Sequence, residues 1–258
     1  MFTKVIAIVN QKGGVGKTTT AVNLSTALSA IDQKVLLVDL DPQGNSSSGF
    51  GIKQEDRKIT IYQALIGKND IHDAIIKTKI TNVELVTANT NLSGAELELV
   101  HVKNREYILS NLLKTLNYNY IIIDCPPSLG ILTINALAAA DEVLIPMQCD
   151  FYSLEGLSHL LKTIERVEKN LNPKIKIKGI LFTMYDRRNR LTEQVEDDVR
   201  GCLGELVFNT TIPRNIKLSE APSHGQPAVI YDHKCLGAIA YIELAKEILE
   251  KERQNETK

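Results

Sequence analysis

Short apolar runs alternate along the chain with longer stretches of helical pattern. The runs are KVIAIV (Lys4–Val9), KVLLVD (Lys34–Asp39), VELVTA (Val83–Ala88), YIIID (Tyr120–Asp124), EVLIPM (Glu142–Met147) and IKGILFTMY (Ile177–Tyr185). Most are nearly continuous Val, Ile and Leu, the pattern of strands buried on both faces of a parallel sheet. Between them, helices are predicted over Thr18–Ala30, Asn104–Leu116, Ile131–Ala140, Leu154–Asn170 and Thr192–Leu203, with a last helix from Ala238 to about Glu252. This alternation predicts an α/β fold: a doubly wound, mostly parallel sheet with helices on both faces. Ligands of such sheets bind where loops gather at the carboxyl ends of the strands. No linker, repeat or low-complexity tract interrupts the pattern. A single domain over residues 1–258 is therefore expected, with a tail that frays from about residue 252.

Composition narrows the picture only a little. The 258 residues are 43% hydrophobic and 24% charged, with a formal net charge of -1, which is ordinary for a soluble globular protein. Any contact with nucleic acid must therefore use a local patch. The four cysteines, Cys125, Cys149, Cys202 and Cys235, form no C-x-x-C pair and read as small buried hydrophobes. The apolar run Val5–Val9 is too short for a secretory signal, and no run approaches the ~18 apolar residues that span a bilayer. A cytoplasmic location is expected.

Candidate chemistry begins at NQKGGVGKTTT (Asn10–Thr20), which lies between the first strand and the first helix. Strand, glycine-rich loop and helix are the context of a phosphate-binding loop. The strict pattern G-x-x-x-x-G-K-S/T fails, because Gln11 stands at the first glycine position and Lys12 follows it. Gly13, Gly14 and Gly16, with Val15 among them, let the backbone turn tightly and aim N–H groups at phosphate oxygens. The helix start adds its positive dipole end. Lys17 can reach the β- and γ-phosphates, and Thr18, with Thr19 beside it, can place its hydroxyl on Mg²⁺. By spacing alone, Lys12 is a solvated loop lysine.

Two acidic segments follow. VLLVDLDPQGNSSS sets Asp39 and Asp41 at a strand end, two residues apart and so on one side. Both can serve a metal ion and an attacking water, although Asp41 could also simply cap the turn DPQGN. YIIIDCPPSLG ends a second strand on Asp124, placed to hold Mg²⁺ through a water, with Pro126 and Pro127 stiffening the turn behind it. Late in the chain, TIPRNIKLSEAPSHGQP (Thr211–Pro227) is long, polar and irregular, as functional loops commonly are. His224 within it has no nucleophile nearby and reads as a loop hydrogen-bonding residue.

Together these segments resemble the ParA/MinD class of deviant Walker A ATPases, and most closely the ParA/Soj chromosome-partitioning type. KGGVGKT, DLDPQGN, DCPPSL and IPRN…SEAPSHG occur in family order from residue 1 to about 250. The resemblance implies ATP and Mg²⁺ as cofactors and an ATP-bound sandwich homodimer in which Lys12 reaches the nucleotide of the second subunit. It implies that Asp41 orients the hydrolytic water and that Asp39, with Thr18 and Asp124, lies near the metal. It places Pro213 and Asn215 against the adenine, with Arg214 nearby, and gives Met184 and Asp186 the other wall of the base pocket.

Charge is uneven along the chain. From Lys162 to Arg190 there are nine basic residues (Lys162, Arg166, Lys169, Lys174, Lys176, Lys178, Arg187, Arg188 and Arg190) against three acidic ones. Phosphate contacts without base readout fit such a patch, since no aromatic residues interleave. Alternating Lys174, Lys176 and Lys178 suit an exposed edge strand equally well. The resemblance implies non-specific binding of double-stranded DNA, with Arg188 and Lys217 at the matching positions. It also implies a nucleoid-associated protein whose hydrolysis a ParB/Spo0J-type centromere-binding protein stimulates.

Only three residues precede the first strand, so no N-terminal helix-turn-helix is expected. The alternative is a MinD-like membrane-associated division regulator, but LAKEILEKERQNETK has mixed charge and no bulky apolar residue after Leu249, so no stable membrane anchor is expected. An electron carrier like the nitrogenase iron protein would use paired cysteines, and the flanks of Cys125 and Cys149 match the partition type instead.

Overall fold

The computed structural model of the protein describes residues 3–256. Its strands are β1 (Lys4–Ile8), β2 (Val35–Asp39), β3 (Ile75–Lys77), β4 (Val83–Val86), β5 (Tyr120–Asp124), β6 (Glu142–Gln148) and β7 (Lys176–Thr183). Its helices are α1 (Lys17–Ser29), α2 (Asn45–Gly49), α3 (Ile61–Leu65), α4 (Leu92–Glu98), α5 (Ile108–Leu113) and α6 (Ile131–Ala139). They continue with α7 (Phe151–Asn170), α8 (Arg190–Leu203), α9 (Ile216–Glu220), α10 (Ala228–Tyr231) and α11 (Leu236–Glu256). The strands form one seven-stranded sheet in the order β3-β4-β2-β5-β1-β6-β7. Every pairing is parallel except that of β3 with β4.

The apolar runs are continuous because each strand feeds two cores. Val5, Ala7 and Val9 pack on one face with Leu36, Val38, Ile121 and Ile123. Ile6 and Ile8 pack on the other with Leu37, Ile122, Leu24 and Leu28 of α1, and Leu244 and Ile248 of α11. The mostly parallel, doubly covered sheet predicted from the sequence is what forms.

Several boundaries differ for local reasons. β7 stops at Thr183, short of the predicted Tyr185, because Met184 has a left-handed backbone (φ 50°) that a strand does not accommodate. α7 begins three residues early, since the Asp150 side chain accepts from the Ser153 N–H and caps it. The stretch predicted as one helix over Asn104–Leu116 splits into a 3₁₀ turn (Arg105–Tyr107) and the shorter α5. β3, too short to register as an apolar run, adds an antiparallel edge. The final helix continues to Glu256, beyond the point near residue 252 where fraying is expected, and residues 257–258 lie outside the described residues.

Lys178 does not belong to the basic patch in which its sequence position puts it. It sits in the edge strand β7, but α11 covers that edge, and its side chain is only 4% exposed. Its ammonium pairs with Glu142 at 3.0 Å and Glu252 at 2.7 Å, and the Tyr120 hydroxyl donates to Glu252. A buried cation held this way is costly to unpair. Lys178→Ala leaves two carboxylates without their cation and is expected to lower unfolding free energy by about 3–5 kcal/mol in urea titrations. Lys169→Ala, which breaks an exposed pair with Glu165, is expected to leave the midpoint unchanged.

Candidate nucleotide-binding site

The glycine-rich loop joins β1 to α1 at the carboxyl edge of the sheet. Gly16 is the residue before α1 and has φ 84°, a left-handed conformation that a side chain would strain. It turns the chain so that Thr20 N–H donates to Gly16 O at 2.8 Å and the helix starts. Lys17, the first helical residue, is buried, with Nζ donating to Lys12 O at 3.0 Å. Burial lowers its pKa, and the nearby Asp124 and Asp41 oppose that shift. Three further bonds fix the loop from outside: Gln11 to Gly156 O at 3.1 Å, Gln148 to Gly14 O at 2.9 Å, and Thr183 to Val15 O at 2.8 Å.

Lys12 is not a free loop lysine. Its ammonium pairs with Asp150, the capping residue of α7, and its backbone N–H donates to Asn10 Oδ1. Partial burial pushes the Asp150 carboxyl up, but Lys12 and Ser153 outweigh it and hold the group below its usual range. The signature lysine thus points toward α7, while Lys17 points into the loop.

The acids are brought together as their strand positions imply. β2 and β5 pair in register with Asp39 opposite Asp124, and both are fully buried. Asp41 follows in a tight turn closed by Gly44 N–H to Asp41 O at 2.9 Å, with Gln43 N–H donating to Asp41 Oδ1. Gly44 has φ 63°, and a Cβ there would lie 2.3 Å from the Arg57 guanidinium, so only glycine fits. Ser46 donates to Asp124 Oδ2 at 2.7 Å, and Thr18 adds a side-chain bond to the same carboxyl. Burial and the neighbouring Asp39 push Asp124 up, to about 7, against the pull of those hydroxyls. Burial likewise raises Asp39.

Asp124 Oδ1 has no hydrogen-bond partner although it is buried. An orphaned carboxylate oxygen beside a threonine hydroxyl and a phosphate loop fits a hydrated divalent cation. Among the described residues no cluster of three or more His, Cys, Asp or Glu could cage a metal alone. That suits Mg²⁺, which keeps waters and takes phosphate oxygens as ligands.

A cavity of about 210 Å³ opens beside the loop, lined by Gly16, Thr19, Met184, Pro213, Arg214 and Asn215 among others. The late irregular segment therefore folds back onto the phosphate loop, and the bridge between Tyr185 and Pro213 holds it there. Asp186 does not join this wall. It lines an adjoining groove with Arg187, Arg188 and Arg214, and Arg188 binds both its oxygens at 2.9 Å, which holds its carboxyl down at about 2. Lys217, in α9, is paired with Glu220 at 2.9 Å and lies over the Tyr231 ring.

Residue-by-residue reading of the sequence missed Asp150, Gln148, Ser46, Ser47 and Arg57. Gln148 and Asp150 sit at the carboxyl end of β6, where ligands gather, and that position was the available signal. The serines follow the DPQG turn directly. Arg57 carried no local signal, since its partners Ile52 O, Ala88 O and Ser48 become neighbours only through the fold.

Comparison with known proteins agrees with this geometry. Residues 3–177 match the family described as AAA domain. The chromosome partitioning protein ParA of Caulobacter vibrioides (strain NA1000 / CB15N) is 50% identical over 259 residues, covering 99% of this chain and 97% of that protein. The sporulation initiation inhibitor protein Soj of Bacillus subtilis (strain 168) is 52% identical, covering 95% of this chain and 98% of its own. Among solved structures, cobyrinic acid a,c-diamide synthase from Mycobacterium smegmatis, with bound ATP analog and magnesium, superposes with a TM-score of 0.86 at 37% identity. That match covers 98% of this chain and 97% of the other. With near full-length identity at this level and the glycine-rich loop and paired acids in place, the chain belongs to the ParA/Soj family of chromosome-partitioning ATPases.

Proposed function

We propose that the protein is a partitioning ATPase that binds ATP and Mg²⁺, forms a nucleotide-sandwich homodimer, and in that state binds double-stranded DNA non-specifically. The orientation of Lys12 carries this reading. Its ammonium lies outside its own phosphate loop, paired with Asp150, so its charge is placed to serve a nucleotide presented by a second subunit rather than its own.

The residues divide the work between them. Backbone N–H groups of Gly13 to Thr19 and the start of α1 hold the phosphates, and Lys17, kept at the loop by Lys12 O, neutralises them. Thr18 and Asp124 would hold Mg²⁺, which supplies charge neutralisation at the phosphates when bound. Met184, Pro213, Arg214 and Asn215 enclose the adenine. Asp41 positions the attacking water from its fixed turn. The ATP analog and magnesium carried by the similar solved structure support this assignment.

The DNA surface uses Arg188 and Lys217, each of which has a carboxylate partner that a phosphate must displace or share. Hydrolysis would dissolve the dimer and release DNA, with a ParB/Spo0J-type partner stimulating it and the nucleoid as the site of action. Among the described residues no helix is long and apolar enough to cross a membrane.

Size-exclusion chromatography with ATP, with and without DNA and at rising salt, tests the scheme. Asp41→Ala is expected to hold ATP, remain dimeric and stay on DNA, with turnover down by at least about 100-fold; a monomer under ATP refutes its role. Lys12→Ala is expected to bind ATP as a monomer, and normal dimerisation would contradict the crossing lysine. Arg188→Ala should weaken DNA binding on every sequence and flatten its log–log salt dependence by about one unit for each phosphate no longer neutralised.

The raised Asp124 pKa adds a pH test. Its neutral form is favoured in the folded chain below about 7, so protons compete with Mg²⁺ increasingly as pH falls through that value. The rise in melting temperature on adding Mg²⁺ with ATP should therefore shrink as pH falls from about 8 to about 6; an increase would contradict the assignment.

A further inference from the structure

We propose that Asp39 is a positioning residue for Asp41 rather than a metal ligand, and that Ser47 locks it in that role. This rests on the ATPase reading above and refines its site. The Asp39 carboxylate accepts from protein donors on both oxygens: Oδ1 from Asp41 N–H at 3.3 Å, and Oδ2 from Ser47 N–H at 2.8 Å and Ser47 Oγ at 2.7 Å. A carboxylate offers about four lone-pair sites, so three are used while the group is fully buried.

Asp124, paired with it across β2 and β5, is the opposite case. Ser46 donates to Oδ2 and Thr18 adds a side-chain bond to the carboxyl, but Oδ1 has no partner. Two acids in register on neighbouring strands therefore differ in purpose: one is satisfied by the chain, and the other keeps an acceptor for a hydrated ion.

Ser47 also reaches outward, because its Oγ accepts from Ala88 N–H at 3.1 Å just past the end of β4. The Ala88 carbonyl in turn accepts from Arg57 at 3.0 Å, and the same guanidinium donates to Ser48 at 2.8 Å. A buried strut thus runs from Ala88 through Ser47 and Asp39 to the backbone of Asp41. The turn that aims Asp41 is thus tied to the end of β4, three places from β1 in the sheet, so an attacking water is positioned by the sheet and not by a flexible loop.

The test separates ion binding from turnover in the full-length protein. Binding of a fluorescent N-methylanthraniloyl ATP is titrated with Mg²⁺, and steady-state hydrolysis is measured in parallel. Asp39→Asn and Ser47→Ala are expected to keep the Mg²⁺ half-saturation within about twofold of wild type while kcat falls roughly 10- to 100-fold. Ser47→Thr, which retains the hydroxyl, should restore kcat. Asp124→Asn should raise the Mg²⁺ half-saturation by about tenfold or more.

If Asp39→Asn shifts that half-saturation as far as Asp124→Asn does, Asp39 is a ligand and the proposal falls. It falls equally if Ser47→Ala turns over like wild type. Should Asp39→Asn not fold, the Ser47→Ala and Ser47→Thr pair decides alone. A wild-type chain with no Mg²⁺-dependent binding overturns the ATPase reading, and this proposal with it.

Discussion

The site depends on one constraint: two carboxylates must stay side by side, buried from bulk solvent. Asp39 and Asp124 face each other where β2 and β5 end, both at zero exposure. Like charges in such a place are unfavourable unless each receives hydrogen bonds, and burial already pushes both groups toward their neutral forms. The sheet supplies the pairing, since parallel register fixes the two positions opposite each other. Short α2 supplies the donors, and it can do so only because the DPQG turn brings its serines back over the strand ends. Fold and site are therefore inseparable at this point. A slip of register between β2 and β5 would separate the acids and take from Ser46 its acceptor on Asp124.

The strands were legible because burial on two faces leaves a continuous apolar signature, and the phosphate loop was legible because its glycines, lysine and threonine are contiguous. Met184, Pro213, Arg214 and Asn215 could be grouped with the loop only through resemblance. Their meeting around one cavity depends on how β7 and the segment after α8 return to the sheet edge. Asp186 shows how the fold adds partners that the resemblance did not imply: one residue beyond Tyr185, its carboxyl accepts from Arg188. Lys178 shows the same for charge counting. Sequence places it in an alternating lysine run, and α11 arriving from about 75 positions later buries it. The helices α2, α9 and α10 escaped notice because four or five residues are too few to show a period.

Ion pairing also sets where the cations of this chain point. Lys17 is committed to the loop, and Lys12 is held on its rim by Asp150. Arg188 and Lys217 are held by Asp186 and Glu220 on the outer surface. Arg188 and Lys217 thus each have a local carboxylate that a competing anion must displace or share. Exposed pairs of this kind contribute little to stability, and their effect falls instead on where the side chains point.

The last helix has a consequence for how the protein is made. α11 covers α1, with Leu244 and Ile248 packed among Leu24 and Leu28, and the hydroxyls of Thr20 and Tyr241 meet at 3.1 Å across 221 positions of chain. During synthesis β1 and α1 emerge first, yet the apolar flank of the helix behind the phosphate loop stays open until residues 236–256 have left the ribosome. Contacts so distant in sequence form late. Nascent chains thus carry the glycine-rich loop beside a helix with no cover until α11 has emerged.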